Sequence, residues 1–203
     1  MASQCALFSY LVVQWNLSVE YEGPLERLSD NSVRHIGLGG LRRAKILGDT
    51  PLTSGAHAWR VRLDGMLKYG RFASIGIVPE EDAGVEEGRD WEQQPFFGVD
   101  TGAPKRRWNG NICGEWVDPL GQFERSTVLD ILLDLEKRLL LVVVPKTGDF
   151  APIALPHDVV AWCPAFRLLC PGNKVSVEVI EPEQVGHIQE ETNNKDEKEE
   201  KKG

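Results

Sequence analysis

Residues 47–61 read LGDTPLTSGAHAWRV. The small-polar turn Thr53-Ser54-Gly55 leads directly into a segment in which Trp59 and Val61 lie on one face and the intervening residues on the other. Gly tolerates positive φ and Ser can bond its own backbone, so both residues favour a tight turn. Alternation with a period of two indicates a half-buried β-strand, and we expect Trp59 to face the core. A turn followed by a Trp-centred strand is more typical of an interaction scaffold than of an active site.

Length and charge limit the number of domains and the kinds of partner. The chain has 203 residues, of which 41% are hydrophobic, so it suits one all-β domain or two very small ones. Its formal net charge is -8, with part of that acidity in the C-terminal tail. This acidity argues against a broad surface for nucleic acid or for anionic membranes.

The cysteines predict no metal site and no disulfide framework. Cys5, Cys113, Cys163 and Cys170 are spread widely and contain no C-x-x-C pair. We therefore expect free thiols, no metal or other cofactor, and a reducing setting that is cytoplasmic, with the nucleus as an alternative. The apolar run Cys5–Val13 is shorter than the ~20 residues of a membrane span and lacks the basic start of a signal peptide.

Short apolar runs broken by Gly, Pro, Asn and Asp occupy most of the chain and favour a sandwich or barrel. The candidate strands are Ala6–Trp15, Ser32–His35, Ala44–Leu47, Ala58–Leu63, Arg71–Val78, Pro95–Val99, Arg107–Trp108, Thr127–Asp134, Arg138–Val144, Cys163–Leu169 and Lys174–Ile180. The near-continuous apolar residues of the hairpin around Glu136-Lys137 imply that both of its faces are covered. Residues 1–181 are expected to form one domain. Residues 182–203 are expected to form a disordered charged tail, because Gln189–Gly203 has no apolar residue.

Several motifs in register resemble those of SPRY (B30.2-like) domains. Leu47–Val61 resembles the Trp-centred strand of that family, and Ile75-Gly76-Ile77 resembles its Ile-Gly-Val-like tripeptide. Leu132–Lys137 looks like its Leu-Asp-Leu-Asp-Arg hairpin turn, and Cys163–Phe166 looks like its Pro-Ala-Phe strand. Further similarities are the early hairpin Leu28–Val33, the Trp108-Asn109-Gly110 turn and the final strand Lys174–Glu178. The resemblance covers about Val13 to Ile180.

The resemblance implies an all-β fold, a bent, concanavalin-like sandwich of two antiparallel sheets. It also implies a non-catalytic module that recognises a partner protein or peptide through loops at one end of the sandwich. Such domains often serve as the substrate-reading part of a larger ligase, so we expect an adaptor or scaffold in ubiquitin-related or signalling assemblies. We expect a monomer that binds neither nucleic acid nor membrane.

The resemblance also carries over some site positions. In the SPRY subfamily that reads short Asn-rich peptides, one loop supplies an Arg, then a Pro and an Ala at alternate positions. Here Arg34 matches, whereas Ile36 and Leu38 depart. The late Val-Trp pair of that subfamily falls near Leu169-Cys170, which also departs. We therefore expect an interaction surface at these positions, with a different peptide specificity.

The loops predicted to bind a partner are Arg34–Arg43, Tyr69–Arg71, Glu87–Trp91 and Leu169–Asn173. The individual candidates are Arg34, Ile36, Leu38, Gly70, Arg71, Trp91 and Leu169. An exposed Trp beside Arg is a common composition of binding hot spots, although Trp91 and Trp116 could each instead pack over a sheet edge. The basic clusters Arg42-Arg43 and Lys105-Arg106-Arg107 predict an acidic partner if both lie at one end; solvated surface charge is the alternative.

Two other function classes are a glycosidase and a lectin. Asp130 and Asp134 share a strand face, as a carboxylate pair of a glycosidase could. We instead expect Asp134 to belong to the hairpin turn and Asp130 to cap a strand edge, so no catalytic residues are assigned. A lectin-like carbohydrate-binding sandwich remains the alternative function, although Asp64, Asp100 and Asn109 are scattered for calcium ligands.

Overall fold

The computed structural model describes residues 25–29, 31–36, 44–48, 50–65, 73–83, 95–101, 106–110, 112–116, 126–168 and 172–185. Within these ranges almost all regular structure is β-strand, joined by the short 3-10 helix Glu80–Asp82 and a helical turn at 182–185. In the same ranges, no helix is both long and apolar enough to cross a membrane. The predicted strand Ala6–Trp15 and most of the predicted tail lie outside the described residues.

The strands, in chain order, are β1 (Leu25–Ser29), β2 (Ser32–His35), β3 (Ala44–Leu47), β4 (Ala56–Asp64), β5 (Ala73–Pro79), β6 (Phe96–Asp100), β7 (Arg106–Gly110), β8 (Ile112–Trp116), β9 (Ser126–Asp134), β10 (Leu139–Val143), β11 (Phe150–Ala154), β12 (Trp162–Leu168) and β13 (Lys174–Ile180). The first sheet has the order β1-β2-β13-β4-β9-β10-β11, and the second has the order β3-β12-β5-β6-β7-β8. All neighbouring pairs are antiparallel. The predicted all-β sandwich of two antiparallel sheets is confirmed.

The core lies between the two sheets. Trp59 is only 2% exposed and shares the core face of β4 with Val61 and Leu63, as the period-two alternation predicts. From the second sheet, Phe97 and Trp162 meet edge to face, with ring centroids 5.0 Å apart and planes at 90°. Aromatic pairs in this geometry contribute about 1 kcal/mol beyond the area that they bury.

Most predicted strands in the described ranges are confirmed, some to the residue, as at Ser32–His35 and Ala44–Leu47. The candidate strands do not include β1, β8 and β11, although the resemblance predicted hairpins at Leu28–Val33 and Trp108–Gly110, where β1 pairs with β2 and β7 with β8. Trp116, which the sequence placed in a loop, instead ends β8. The sequence does not predict β11 because it contains Pro152, and Pro cannot donate a hydrogen bond to a neighbouring strand. Of the described strands only β10 pairs with it, which makes it an edge strand of the kind that tolerates Pro.

The outer face of the first sheet carries a second apolar cluster. Ala58, Leu141, Val143 and Ile180 pack there with Val185, which is fully buried. Val185 belongs to the helical turn at 182–185, so ordered packing continues past residue 181. This cluster fixes the Ile180 end of β13.

Candidate functional site: one end of the sandwich

The strand order brings several connections together at one end of the sandwich. The connections 37–43, 66–72 and 169–171 each pass from one sheet to the other, and their flanking strand ends meet at this end. The strand ends that flank 102–105 and 117–125 lie there as well. A rigid frame that holds many connections at one end is the arrangement in which loops most often carry recognition.

Four residues, His35, Gly65, Gly172 and Asn173, tie the bases of three of these connections together. The Gly172 N–H donates to the His35 carbonyl at 2.7 Å, and the His35 N–H donates to the Asn173 carbonyl at 2.8 Å. The Asn173 side-chain amide donates to the Gly65 carbonyl at 3.3 Å. We call these four residues the clamp, and this end of the sandwich the clamp end. Because His35 and Asn173 are buried, the clamp gives the surrounding connections a fixed base.

Arg34 and Ile36 lie beside the clamp. Arg34 lies in β2, within the predicted strand Ser32–His35, although the predicted binding loop Arg34–Arg43 also included it, and it projects from the outer face of the first sheet. Its guanidinium meets Glu26 at 3.5 Å, and both side chains are 47% exposed. An ion pair this exposed contributes at most about 1 kcal/mol, so Arg34 remains available to a partner. Ile36 is 41% exposed and follows β2 directly.

Four of the other candidates lie outside the described residues: Leu38, Gly70, Arg71 and Leu169. Each belongs to a connection whose flanking strands end at the clamp end. The same holds for the basic clusters. Arg42-Arg43 immediately precedes β3, Lys105-Arg106-Arg107 includes the first two residues of β7, and both strands begin at the clamp end. The sequence left this common location open.

Trp91 is the exception. It also lies outside the described residues, and its connection leaves after Ala83 and returns at Pro95. Both of these residues lie beyond the ends of β5 and β6 that face away from the clamp. The structure therefore does not bring the anchors of the Trp91 connection together with Arg34.

Asp130 and Asp134, which share a strand face, each form an ion pair. Asp130 is fully buried, and Arg60 donates to it twice, at 2.7 and 2.9 Å. Asp130 lies in the middle of β9, which itself lies between β4 and β10, so the expectation that Asp130 caps a strand edge was wrong. The hydrogen bond to Asp130 raises the pKa of Arg60 above its usual value. Only register could reveal this pair, because 70 residues separate its members.

Asp134 closes the β9–β10 turn, as the sequence predicts. It accepts hydrogen bonds from the Lys137 backbone N–H and from the Lys137 ammonium, both at 2.9 Å. Partial burial raises the pKa of Asp134, but the bonds from Lys137 outweigh it and the pKa is lowered. Within the described part of the chain, no group of three or more His, Cys, Asp or Glu side chains could hold a metal ion.

Comparisons with known proteins find solved structures with a similar architecture. No protein-family model matches the sequence, and no curated protein matches it. Among solved structures, the SPRY domain of human HERC1 is 17% identical, with a TM-score of 0.55, and the match covers 77% of this chain and 93% of that one. The PSpry domain of TRIM65 is 16% identical, with a TM-score of 0.55, and the match covers 82% of this chain and 90% of that one. The sequence resemblance and the sandwich thus agree, and the chain has the SPRY-domain fold.

Proposed function

We propose that this chain is a non-catalytic interaction module that recognises a partner protein or peptide through the clamp end of the sandwich. The observation that carries the proposal is the convergence of strand ends from both sheets at the clamp. A fixed base lowers the conformational entropy that the connections lose on binding, which favours affinity. The SPRY-like fold supports the same role, because protein recognition is the usual role of domains that it resembles.

The chemistry at the clamp end favours a partner with acidic groups. Arg34 is exposed there, and two basic clusters are attached to strands that begin there. We propose a monomer without a cofactor that acts in the cytoplasm or nucleus. Its proposed place is that of a substrate adaptor or scaffold in ubiquitin-related or signalling assemblies.

The proposal is tested by affinity capture with mass spectrometry, followed by binding measurements with the purified partner. The test variant combines Arg34→Ala with Arg71→Ala. The control is Lys146→Ala, which removes an exposed cation from the β10–β11 hairpin. We expect the wild type and the control to bind the partner equally and the test variant to bind at least about tenfold more weakly.

Two results would overturn the proposal. One is equal binding by the wild type and by a folded test variant, which would remove the clamp end from consideration. The other is calcium-dependent binding to a glycan array without any captured protein, which would favour the lectin-like alternative. A ligase subunit among the captured proteins would support the adaptor role.

A further inference from the structure

A group of cations and hydroxyls lies on the outer face of the first sheet, next to the clamp. Its members are Arg34 and Ser32 on β2, Lys174 and Ser176 on β13, and Arg62 on β4. In the strand register Arg34 lies opposite Lys174, and Ser176 lies between Ser32 and Arg62. These side chains point away from the core because the alternate residues on the same strands are core residues. We call this group the cation patch.

The cations of the patch make few ion pairs. Within the described residues, Arg62 and Lys174 make no ion pair, and Arg34 makes only its exposed contact with Glu26. Asp64 lies opposite Lys174 and Glu178 lies diagonal to Arg62 in the register, but neither carboxylate forms an ion pair with these cations, and that of Asp64 accepts a hydrogen bond from the Ser126 hydroxyl at 2.6 Å. Arg34 and Lys174 are like charges directly opposite each other, an arrangement that destabilises a sheet. An anion between them would remove that repulsion.

The spacing suits a short run of anionic groups. Neighbouring strands lie about 4.8 Å apart, and diagonal positions such as Lys174 and Arg62 lie roughly 7–8 Å apart. Long side chains at these distances can reach the same carboxylate or phosphate. The Ser32 and Ser176 hydroxyls are hydrogen-bonded to each other at 2.9 Å, and Ser32 is buried, so only the partly exposed Ser176 hydroxyl can supply a further donor. Because the chain has a net charge of -8, it repels a long polyanion such as a nucleic acid more strongly than a short segment with only a few acidic groups.

We propose that the cation patch binds an acidic segment of the partner protein, an extended peptide whose Asp, Glu or phosphorylated side chains lie across β2, β13 and β4. The inference rests on the proposed function and adds the sheet face on which the acidic groups of the partner bind. Arg62 and Lys174 donate charge-assisted hydrogen bonds to the anionic groups, and the Ser176 hydroxyl adds a neutral one. The patch adjoins the clamp end, so the same partner can contact both.

The test uses fluorescently labelled peptides and the full chain. One peptide alternates Glu and Ser, a second carries phosphoserine at the Ser positions, and a third replaces every Glu by Gln. The variant Arg62→Gln with Lys174→Gln lowers the net charge by the same amount as its control, Lys146→Glu. We expect the Glu and phosphoserine peptides to bind the wild type and the control in a salt-sensitive way. The double variant is expected to bind them at least about tenfold more weakly.

The comparison of peptides separates carboxylate from phosphate as the preferred anion, and binding of either one supports the proposal. Equal binding of the Glu and Gln peptides by the wild type would overturn it. So would unchanged binding of the acidic peptides by the double variant. If the captured partner binds the double variant as tightly as the wild type, this inference fails while the proposed module function stands. Circular dichroism verifies that both variants are folded.

Discussion

Gly65 and Gly172 approach so closely that a Cβ atom on Gly65 would collide with the Gly172 carbonyl oxygen. Both residues have positive φ, 79° and 87°, yet a Cβ atom on Gly172 would meet open space. Gly65 and Gly172 therefore both require positive φ, but only Gly65 also lacks room for a Cβ atom. This difference isolates the steric contribution of the close approach.

Gly65→Ala is expected to destabilise the fold by about 3 kcal/mol or more, because it adds a backbone collision to the strain of positive φ. Gly172→Ala is expected to cost only about 1 to 2 kcal/mol, the strain alone. Urea unfolding followed by tryptophan fluorescence measures both values. Equal losses of stability in the two variants would contradict the close approach of Gly65 to Gly172.

Much of the fold can be predicted from local pattern. The alternation around Trp59 fixes the buried face of β4, and the charged turn at Glu136-Lys137 fixes a hairpin, since both signals lie within a few residues. β11 escapes prediction because Pro152 argues against a strand, and only its edge position makes Pro tolerable. β1 escapes because most of its residues are exposed and give no alternating pattern.

The candidate site is less predictable, because it depends on which strand ends meet. Local sequence cannot show that Arg34 lies opposite Lys174, since 140 residues separate them and only the sheet register pairs them. It likewise cannot show that the Trp91 connection is anchored away from the clamp. Composition identifies residues that suit binding, whereas topology decides which of them share a surface.

Substitutions of Arg60 and of Asp130 are predicted to reduce stability by different amounts. Asp130 is fully buried, whereas the Arg60 side chain is 39% exposed. Arg60→Met leaves a buried carboxylate without its cation, and we expect a loss of about 3 kcal/mol or more. Asp130→Asn leaves a cation that water can reach, so its loss is expected to be smaller, about 1 to 2 kcal/mol. Urea unfolding at neutral pH measures both.

The double variant Arg60→Met with Asp130→Leu serves as the control for that pair. Replacing both partners with apolar residues removes the unsatisfied charge, so the double variant is expected to be more stable than Arg60→Met alone. A double variant as unstable as the sum of the two single changes would indicate that the ion pair itself, and not the isolated charge, determines the loss.

Asp134 predicts a dependence of stability on pH. Its folded pKa is lowered, so the charged carboxylate stabilises the fold above its unfolded pKa of about 3.9, and this contribution is lost as pH falls through the folded pKa. Asp134→Asn should therefore be about 1 kcal/mol less stable than the wild type at pH 7, and this difference should shrink steadily below about pH 4. Urea midpoints measured across this range test it. Asp158→Asn, an equal change of charge in an exposed loop, controls for net charge; a difference that grows towards low pH would reverse the assigned sign.

Arg34 and Trp91 test whether partner binding uses one end of the sandwich or both. The sequence alone suggests one surface, on which Arg34→Ala combined with Trp91→Ala abolishes capture. Because their connections are anchored at opposite ends, we expect the two single changes to act independently, with a coupling energy below about 0.5 kcal/mol in a double-mutant cycle. Arg34→Ala should weaken binding of the captured partner, since Arg34 lies beside the clamp. Titration calorimetry of the four proteins measures the cycle. A coupling energy above about 1 kcal/mol would mean that both side chains contact the same part of the partner, and the surface would then have to reach beyond the clamp end.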